Sequence, residues 1–239
     1  MRATVLLFDI DGTLITTGGA GRRAMERAFA ELHGRSDAVS FRLDGMTDRG
    51  IVRAALANIG VESDERAIDA LLEHYLACLR EEVRLVPDAR YRVHAGMREA
   101  IGAARAEGAA IGLGTGNIRA GARIKLERVE LDATFGFGGF GCDAEPRAEL
   151  IRIGAERGAA VLGMPLASCR VVVIGDTPKD VAAAREIGAE CIGVGTGRYS
   201  PKALLESGAS WAFADLSAPG ALDALLERNA GRARVGAPE

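Results

Sequence analysis

The apolar run Val5-Leu6-Leu7-Phe8 stops abruptly at Asp9-Ile10-Asp11-Gly12-Thr13. The run is of strand type, and side chains alternate faces along a strand. Asp9 and Asp11 therefore point the same way if strand geometry holds through them. Two carboxylates held that close repel unless a cation lies between them or one is protonated. The bland alternative is a strand that simply ends in a polar turn. A fold that accepts the repulsion is building a site, and hard cations such as Mg²⁺ take one or two carboxylates together with substrate phosphate.

The rest of the chain supplies a setting for that pair. After a glycine-rich link, Thr16-Thr17-Gly18-Gly19-Ala20-Gly21, three stretches carry helical periodicity. Their apolar stripes are Ala24, Met25, Ala28, Phe29 and Leu32; then Ile51, Val52, Ala55, Leu56 and Ile59, with Gly60 as a stop; then Ile68, Leu71, Leu72, Tyr75, Leu76 and Leu79. No strand alternation interrupts them, so 16–90 reads as an all-helical insert. Beyond it, helical patterns at 97–107, 118–129 and 147–158 alternate with strand-type runs at 109–113, 170–174, 191–194 and 211–214. Strands alternating with helices predict an α/β fold with an open, Rossmann-like parallel sheet, and ligands of such sheets bind beyond the carboxyl ends of the strands. The expected organisation is a core formed by 1–15 and 91–228, a helical cap at 16–90, and a disordered tail at 229–239.

Further polar clusters fall at predicted strand ends. Gly175-Asp176-Thr177-Pro178-Lys179-Asp180 follows Val171-Val172-Val173-Ile174. Read alone, it is either a second acidic site element or a helix cap with Asp176 near the N-terminus. Thr115-Gly116-Asn117 follows Ile111-Gly112-Leu113-Gly114. It is either a plain strand-to-helix turn or an anion site at a helix N-terminus. Gly136, Gly138 and Gly141 match G-x-G-x-x-G, but no strong strand precedes them, so they read as a flexible loop near the site rather than a dinucleotide fingerprint.

Asp9-Ile10-Asp11-Gly12-Thr13 and Gly175-Asp176-Thr177-Pro178-Lys179-Asp180 resemble motifs I (DxDGT) and IV (GDxxxD) of the haloacid dehalogenase-like hydrolases. The branch with a helical cap, similar to phosphoglycolate phosphatases, fits the insert after motif I. The resemblance implies an enzyme: a Mg²⁺-dependent phosphatase acting on a small phosphorylated metabolite such as 2-phosphoglycolate. It implies Asp9 as nucleophile and Asp11 as acid and base. Asp9 and Asp176, with the main-chain carbonyl of Asp11, would hold the metal. Thr115, Gly116 and Asn117 would hold the phosphoryl group as motif II, and Asp180 would act through water or orient a basic neighbour. Gly45, Met46, Thr47 and Asp48 resemble the cap loop that reaches over the site, although Thr47 also reads as a helix cap.

One element departs from the family pattern. A lysine is expected before motif IV, yet the chain has lysine only at 125, 179 and 202. Arg147 opens the right helix and is the candidate; Lys125, deeper in the preceding helix, is its rival. Arginine can clamp a phosphate bidentately but with a geometry different from lysine's. Arg22, Arg23 and Arg49 are candidates for a substrate carboxylate. A sugar-phosphate mutase would keep the same motifs, and a non-catalytic phosphate sensor would be free to lose Asp9 or Asp11. The intact second aspartate argues against a dehalogenase, and the absence of lysine from 16–90 argues against a Schiff-base phosphonate hydrolase.

Composition narrows the partners. A net charge of −3 with interspersed signs offers no nucleic-acid footprint. No apolar segment approaches membrane-spanning length. Cys78, Cys142, Cys169 and Cys191 are scattered without metal-type spacing. Together with an N-terminal run too short for a secretory signal, this leads to the expectation of a cytoplasmic protein.

Overall fold

The computed structural model describes residues 2–228; the expected disordered tail at 229–239 lies outside the described residues. In chain order the elements are β1 (Thr4–Phe8), β2 (Ile15–Thr16), α1 (Ala20–His33), α2 (Asp48–Asn58), α3 (Glu65–Leu85), β3 (Arg92–Val93), α4 (Met97–Ala106) and β4 (Ala110–Thr115). There follow α5 (Arg119–Glu127), β5 (Gly138–Phe140), α6 (Arg147–Val161), β6 (Arg170–Gly175), α7 (Pro178–Glu186), β7 (Glu190–Val194), α8 (Pro201–Glu206), β8 (Trp211–Phe213) and α9 (Ala221–Leu226).

Six strands form one parallel sheet in the order β5-β4-β1-β6-β7-β8. β1 is central, and all five of its residues are buried. Its alternation divides the interior in two. Leu6 and Phe8 join one core with the cap helices, while Val5 and Leu7 join another with α6 and α7. A strand covered on both faces must be apolar throughout, so polar residues concentrate where it ends. The order reverses at β1, where β4 lies on one side and β6 on the other, and the crevice at such a switch point is where ligands bind.

Between β2 and β3 the regular structure is helical, and these two short strands pair antiparallel (Ile15 with Val93, Thr16 with Arg92) at the base of the α1–α3 region. α1 buries Ala24, Met25, Ala28 and Phe29, whereas Leu32 from the expected stripe is exposed. α3 starts on Asp64, whose carboxylate accepts from the Ala67 N–H at 2.7 Å.

The glycine-rich segment differs from the expected flexible loop. Gly138–Phe140 is the edge strand β5, paired with Leu113–Thr115 of β4. Glycine is needed here because a Cβ on Gly139 would run into the Leu150 carbonyl, so the residues that weaken the strand signal are those that let α6 lie against the sheet. No helix among the described residues is long and apolar enough to cross a membrane.

Candidate active site

β1 delivers Asp9 to the sheet's carboxyl edge, where its N–H donates to the Ile174 carbonyl at 2.9 Å. The chain then folds back on itself: the Ile15 N–H reaches the Ile10 carbonyl at 3.0 Å, and Gly12 takes a φ of +83°. That left-handed conformation suits glycine, and a Cβ there would sit only 2.5 Å from Asp176 Oδ2. The tight turn brings Asp176, at the end of β6, beside motif I, and the Thr13 hydroxyl donates to Asp176 Oδ1 at 2.9 Å.

Carboxylate oxygens of Asp9, Asp176 and Asp180 lie within 4.8 Å of one another, all three residues buried. Burial pushes the Asp9 carboxyl up to about 6; the Arg147 charge opposes this, and Asp180 and Asp11 add to it. Burial, then the neighbouring Asp180 and Asp9, raise Asp176 to about 8. Asp180 is already satisfied. Its Oδ1 accepts from Arg147 Nε at 2.9 Å and Nη2 at 2.5 Å, and its Oδ2 accepts from the Thr177 N–H at 3.0 Å and hydroxyl at 2.7 Å. Thr177 and Asp180 thus form a capping box that starts α7. Asp9 keeps only one guanidinium contact, Arg147 Nη2 at 3.2 Å, and Asp176 Oδ2 has no donor among the described residues. Hard oxygen ligands, crowded and short of positive charge, fit a divalent cation such as Mg²⁺ at Asp9 and Asp176, with Asp180 held back by Arg147.

Arg147 and Lys125 do not compete for one place. Arg147, the first residue of α6, serves Asp9 and Asp180. Lys125, 3% exposed, reaches from α5 to Asp11, its Nζ lying 2.6 Å from Oδ2 and 2.6 Å from Asn117 Oδ1. Burial acts upward on Asp11, but the Lys125 charge and hydrogen bonds from Lys125, Asn117 and Thr17 outweigh it and hold this carboxyl below its ordinary range. The two motif I aspartates therefore sit in opposite environments.

The other expected residues divide. Gly116 and Asn117 line a cavity of about 390 Å³ together with Asp9, Asp11, Arg147 and Asp176. Thr115 is fully buried behind them, and its oxygen accepts from Asn117 Nδ2 at 2.9 Å. Thr115 thereby fixes Asn117 beside the cavity. The anion at the start of α5 is the cap's own Asp48, whose Oδ2 accepts from the Ile118 N–H at 2.8 Å. The Asp48 N–H donates to the Gly116 carbonyl at 2.8 Å, so the loop of Gly45, Met46 and Asp48 lies over the cavity. Thr47 caps α2, accepting from the Gly50 N–H at 3.1 Å. Of the three arginines expected to meet a substrate carboxylate, Arg22 lines the cavity while donating to the Val39 and Phe41 carbonyls, whereas Arg23 is tied to Glu82 and Arg49 to Glu65 and Asp69.

The sequence reading missed the loop after β7. The Thr196 hydroxyl donates to the Gly12 carbonyl at 2.6 Å, and Arg198 lines the cavity. Its place at a parallel strand's carboxyl end was the available signal. A second acidic grouping, Glu31 with His74 and Cys78 on α1 and α3, is tied up differently: Arg27 and His74 each hold one Glu31 oxygen at 2.6 Å.

The family model for haloacid dehalogenase-like hydrolases matches residues 6–185, which contain all of these elements except the β7 loop. The chain belongs to this family. No curated protein matches the sequence at a significant level. Among solved structures, a hydrolase from Pseudomonas syringae aligns over 96% of this chain and all of its own, with 21% identity and a TM-score of 0.64. A predicted phosphatase from Clostridium acetobutylicum aligns over 95% of this chain and all of its own (18% identity, TM-score 0.65). A candidate β-phosphoglucomutase from Thermotoga maritima covers 94% of this chain and 99% of its own (23%, 0.60). At these identities the likeness is one of fold, and it extends over the helical insert as well as the sheet.

Proposed function

We propose that the chain is a Mg²⁺-dependent phosphatase hydrolysing a small phosphomonoester, 2-phosphoglycolate or a similar metabolite, through an aspartyl-phosphate. The reading rests on one observation above others: Asp9, Asp11, Asp176 and Arg147 line one cavity at the sheet's carboxyl edge, with Asp9 and Asp176 in a carboxylate cluster that a divalent cation would relieve.

In the first half-reaction an Asp9 oxygen bonds phosphorus, the bond to the leaving oxygen breaks, and that oxygen takes its proton from Asp11, which Lys125 holds ionised in the free protein and which takes up a proton when the negative charge of the phosphate enters the site. In the second, water attacks phosphorus, its proton returns to Asp11, and the bond to Asp9 breaks, restoring the carboxylate. Arg147 and the Gly116–Asn117 turn stabilise charge on the equatorial oxygens. Asp9, Asp176 and the Asp11 carbonyl would hold a Mg²⁺, which would supply positive charge at the phosphoryl group and allow Asp9 and Asp176 to be ionised together. The loop of Gly45, Met46 and Asp48 forms the wall that meets the leaving group.

Purified protein is expected to release inorganic phosphate from p-nitrophenyl phosphate and from at least one ester in a panel including 2-phosphoglycolate, with Mg²⁺ and not with EDTA. A folded chain without turnover across metals and pH would sink the proposal. Isomerised sugar phosphate without net phosphate release would move it to a mutase.

Metal-free protein is also expected to lose stability as pH rises. Asp9, Asp48 and Asp176 have folded-state values raised to about 6, 6 and 8. Between about pH 4 and those values the folded protein holds protons that the unfolded chain has released. Stability therefore falls with pH, more steeply below about 6, where three groups contribute, than between about 6 and 8. Asp11, held low, adds stability that is complete above about pH 4. Urea denaturation in EDTA across this range is expected to show the fall, and saturating Mg²⁺ to flatten the part due to Asp9 and Asp176.

A further inference from the structure

Lys125 carries a full charge in the interior, and its surroundings show what the charge is for. Its main chain is pinned by the Tyr91 hydroxyl, which donates to the Lys125 carbonyl at 2.8 Å. Gly21 lies close over the head group: a Cβ there would be 3.2 Å from Nζ. From this closed position Nζ donates to Asp11 Oδ2 and to Asn117 Oδ1, both at 2.6 Å. Asn117 Nδ2 donates in turn to the same Asp11 Oδ2 at 2.8 Å and to Thr115 Oγ1 at 2.9 Å. Lysine, asparagine and aspartate close a triangle braced from behind by a buried threonine.

The donors are distributed unequally over the Asp11 carboxyl group. Oδ2 takes both strong bonds, and among the described residues Oδ1 has only the Thr17 hydroxyl at 3.4 Å. Mere stability does not account for a lysine here, because a buried ion pair contributes little beyond what well-packed apolar residues would give. Nor is Lys125 needed for Asp9, which has Arg147.

We infer that Lys125 is the positioning residue for Asp11: by fixing Oδ2 it turns Oδ1 toward the cavity as the oxygen that exchanges a proton with the leaving group and the attacking water. This rests on the phosphatase reading above. Lys125 does not itself give up a proton; in both half-reactions the proton leaves from and returns to Asp11 Oδ1.

The test compares wild type, Lys125→Met, Asp11→Asn and the double variant on two esters with Mg²⁺: p-nitrophenyl phosphate, whose leaving group needs little protonation, and the best alkyl phosphate of the panel. Because kcat/KM reports transfer to Asp9, Lys125→Met is expected to lower it about 100-fold on the alkyl ester and less than about 10-fold on the aryl ester. In the Asp11→Asn background the same substitution is expected to change it less than about 3-fold, because the group it acts through is gone. Equal losses on both esters, or an undiminished loss in the Asp11→Asn background, overturn the assignment. Should Lys125→Met not fold, the Asp11→Asn pair decides alone, since the double variant removes both charges of the ion pair. A wild type active on phosphate esters with either of those outcomes overturns Lys125 only; an inactive, folded wild type overturns the phosphatase reading and this assignment with it.

Discussion

Asp9→Asn is expected to reduce kcat/KM on any phosphate ester by at least about 10⁴-fold, because loss of a covalent nucleophile leaves only binding and electrostatic contributions. The same change is not expected to harm the fold. Burial and neighbouring carboxylates push the Asp9 carboxyl up to about 6, so its ionised form is disfavoured in the metal-free protein. A neutral amide of the same shape relieves that crowding, and urea denaturation in EDTA at pH 8 should find the variant as stable as wild type or more so. Rapid quench with labelled substrate gives a second readout. Wild type should yield a hydroxylamine-sensitive phosphoprotein within one turnover, and Asp9→Asn none. Phosphoprotein formation by the variant would place the nucleophile elsewhere. Retained Mg²⁺-dependent turnover without a phosphoprotein would instead point to direct attack by water.

Legibility in the sequence followed the physics of each element. β1 and β6 are buried almost throughout, so they stand out as apolar runs, and the aspartates that follow them are conspicuous by contrast. The start of α7 could be placed near Asp176 because Thr177, Pro178 and Asp180 are local signals; the cap itself is Thr177, closed by Asp180. β5 was hidden because its glycines satisfy a packing demand from Leu150, some ten residues further on, rather than a strand propensity of their own. The β2–β3 ribbon is two residues long on each side and has no periodicity to read. In the site, residue types could be recognised but pairings could not. Lys125 is an ordinary lysine in an amphipathic helix until the fold brings it to Asp11, 114 positions away. Likewise, Asp48 reads as an acid in the first turn of α2, yet its carboxylate serves the start of α5. The choice between Arg147 and Lys125 could not be made from sequence because the two serve different carboxylates, Arg147 those of Asp9 and Asp180 and Lys125 that of Asp11.

Arg147→Met is expected to have the largest effect on stability. The guanidinium is 9% exposed and bridges Asp180, which is fully buried, to Asp9. Removing one partner of such a pair strands the other, at a cost of about 3–5 kcal/mol, and here it strands Asp180 beside two further carboxylates. Urea denaturation in EDTA should show that loss. Mg²⁺ should return part of it, since a ligand that binds only the folded state at 100 times its Kd stabilises by about 2.7 kcal/mol. With the guanidinium gone, the cation no longer competes with a fixed charge at Asp9. The Mg²⁺-induced gain in the variant should therefore exceed that in wild type. Arg147→Lys keeps the charge but loses the fork that spans Asp180 and Asp9, so it should fall between the two. Activity should drop on the order of 10²–10³-fold in Arg147→Met even at saturating Mg²⁺, the range seen when one donor to developing charge is removed. Equal Mg²⁺-induced gains in wild type and variant would mean that Arg147 does not share the cluster's charge with the metal. Its role would then be confined to holding Asp180 at the start of α7.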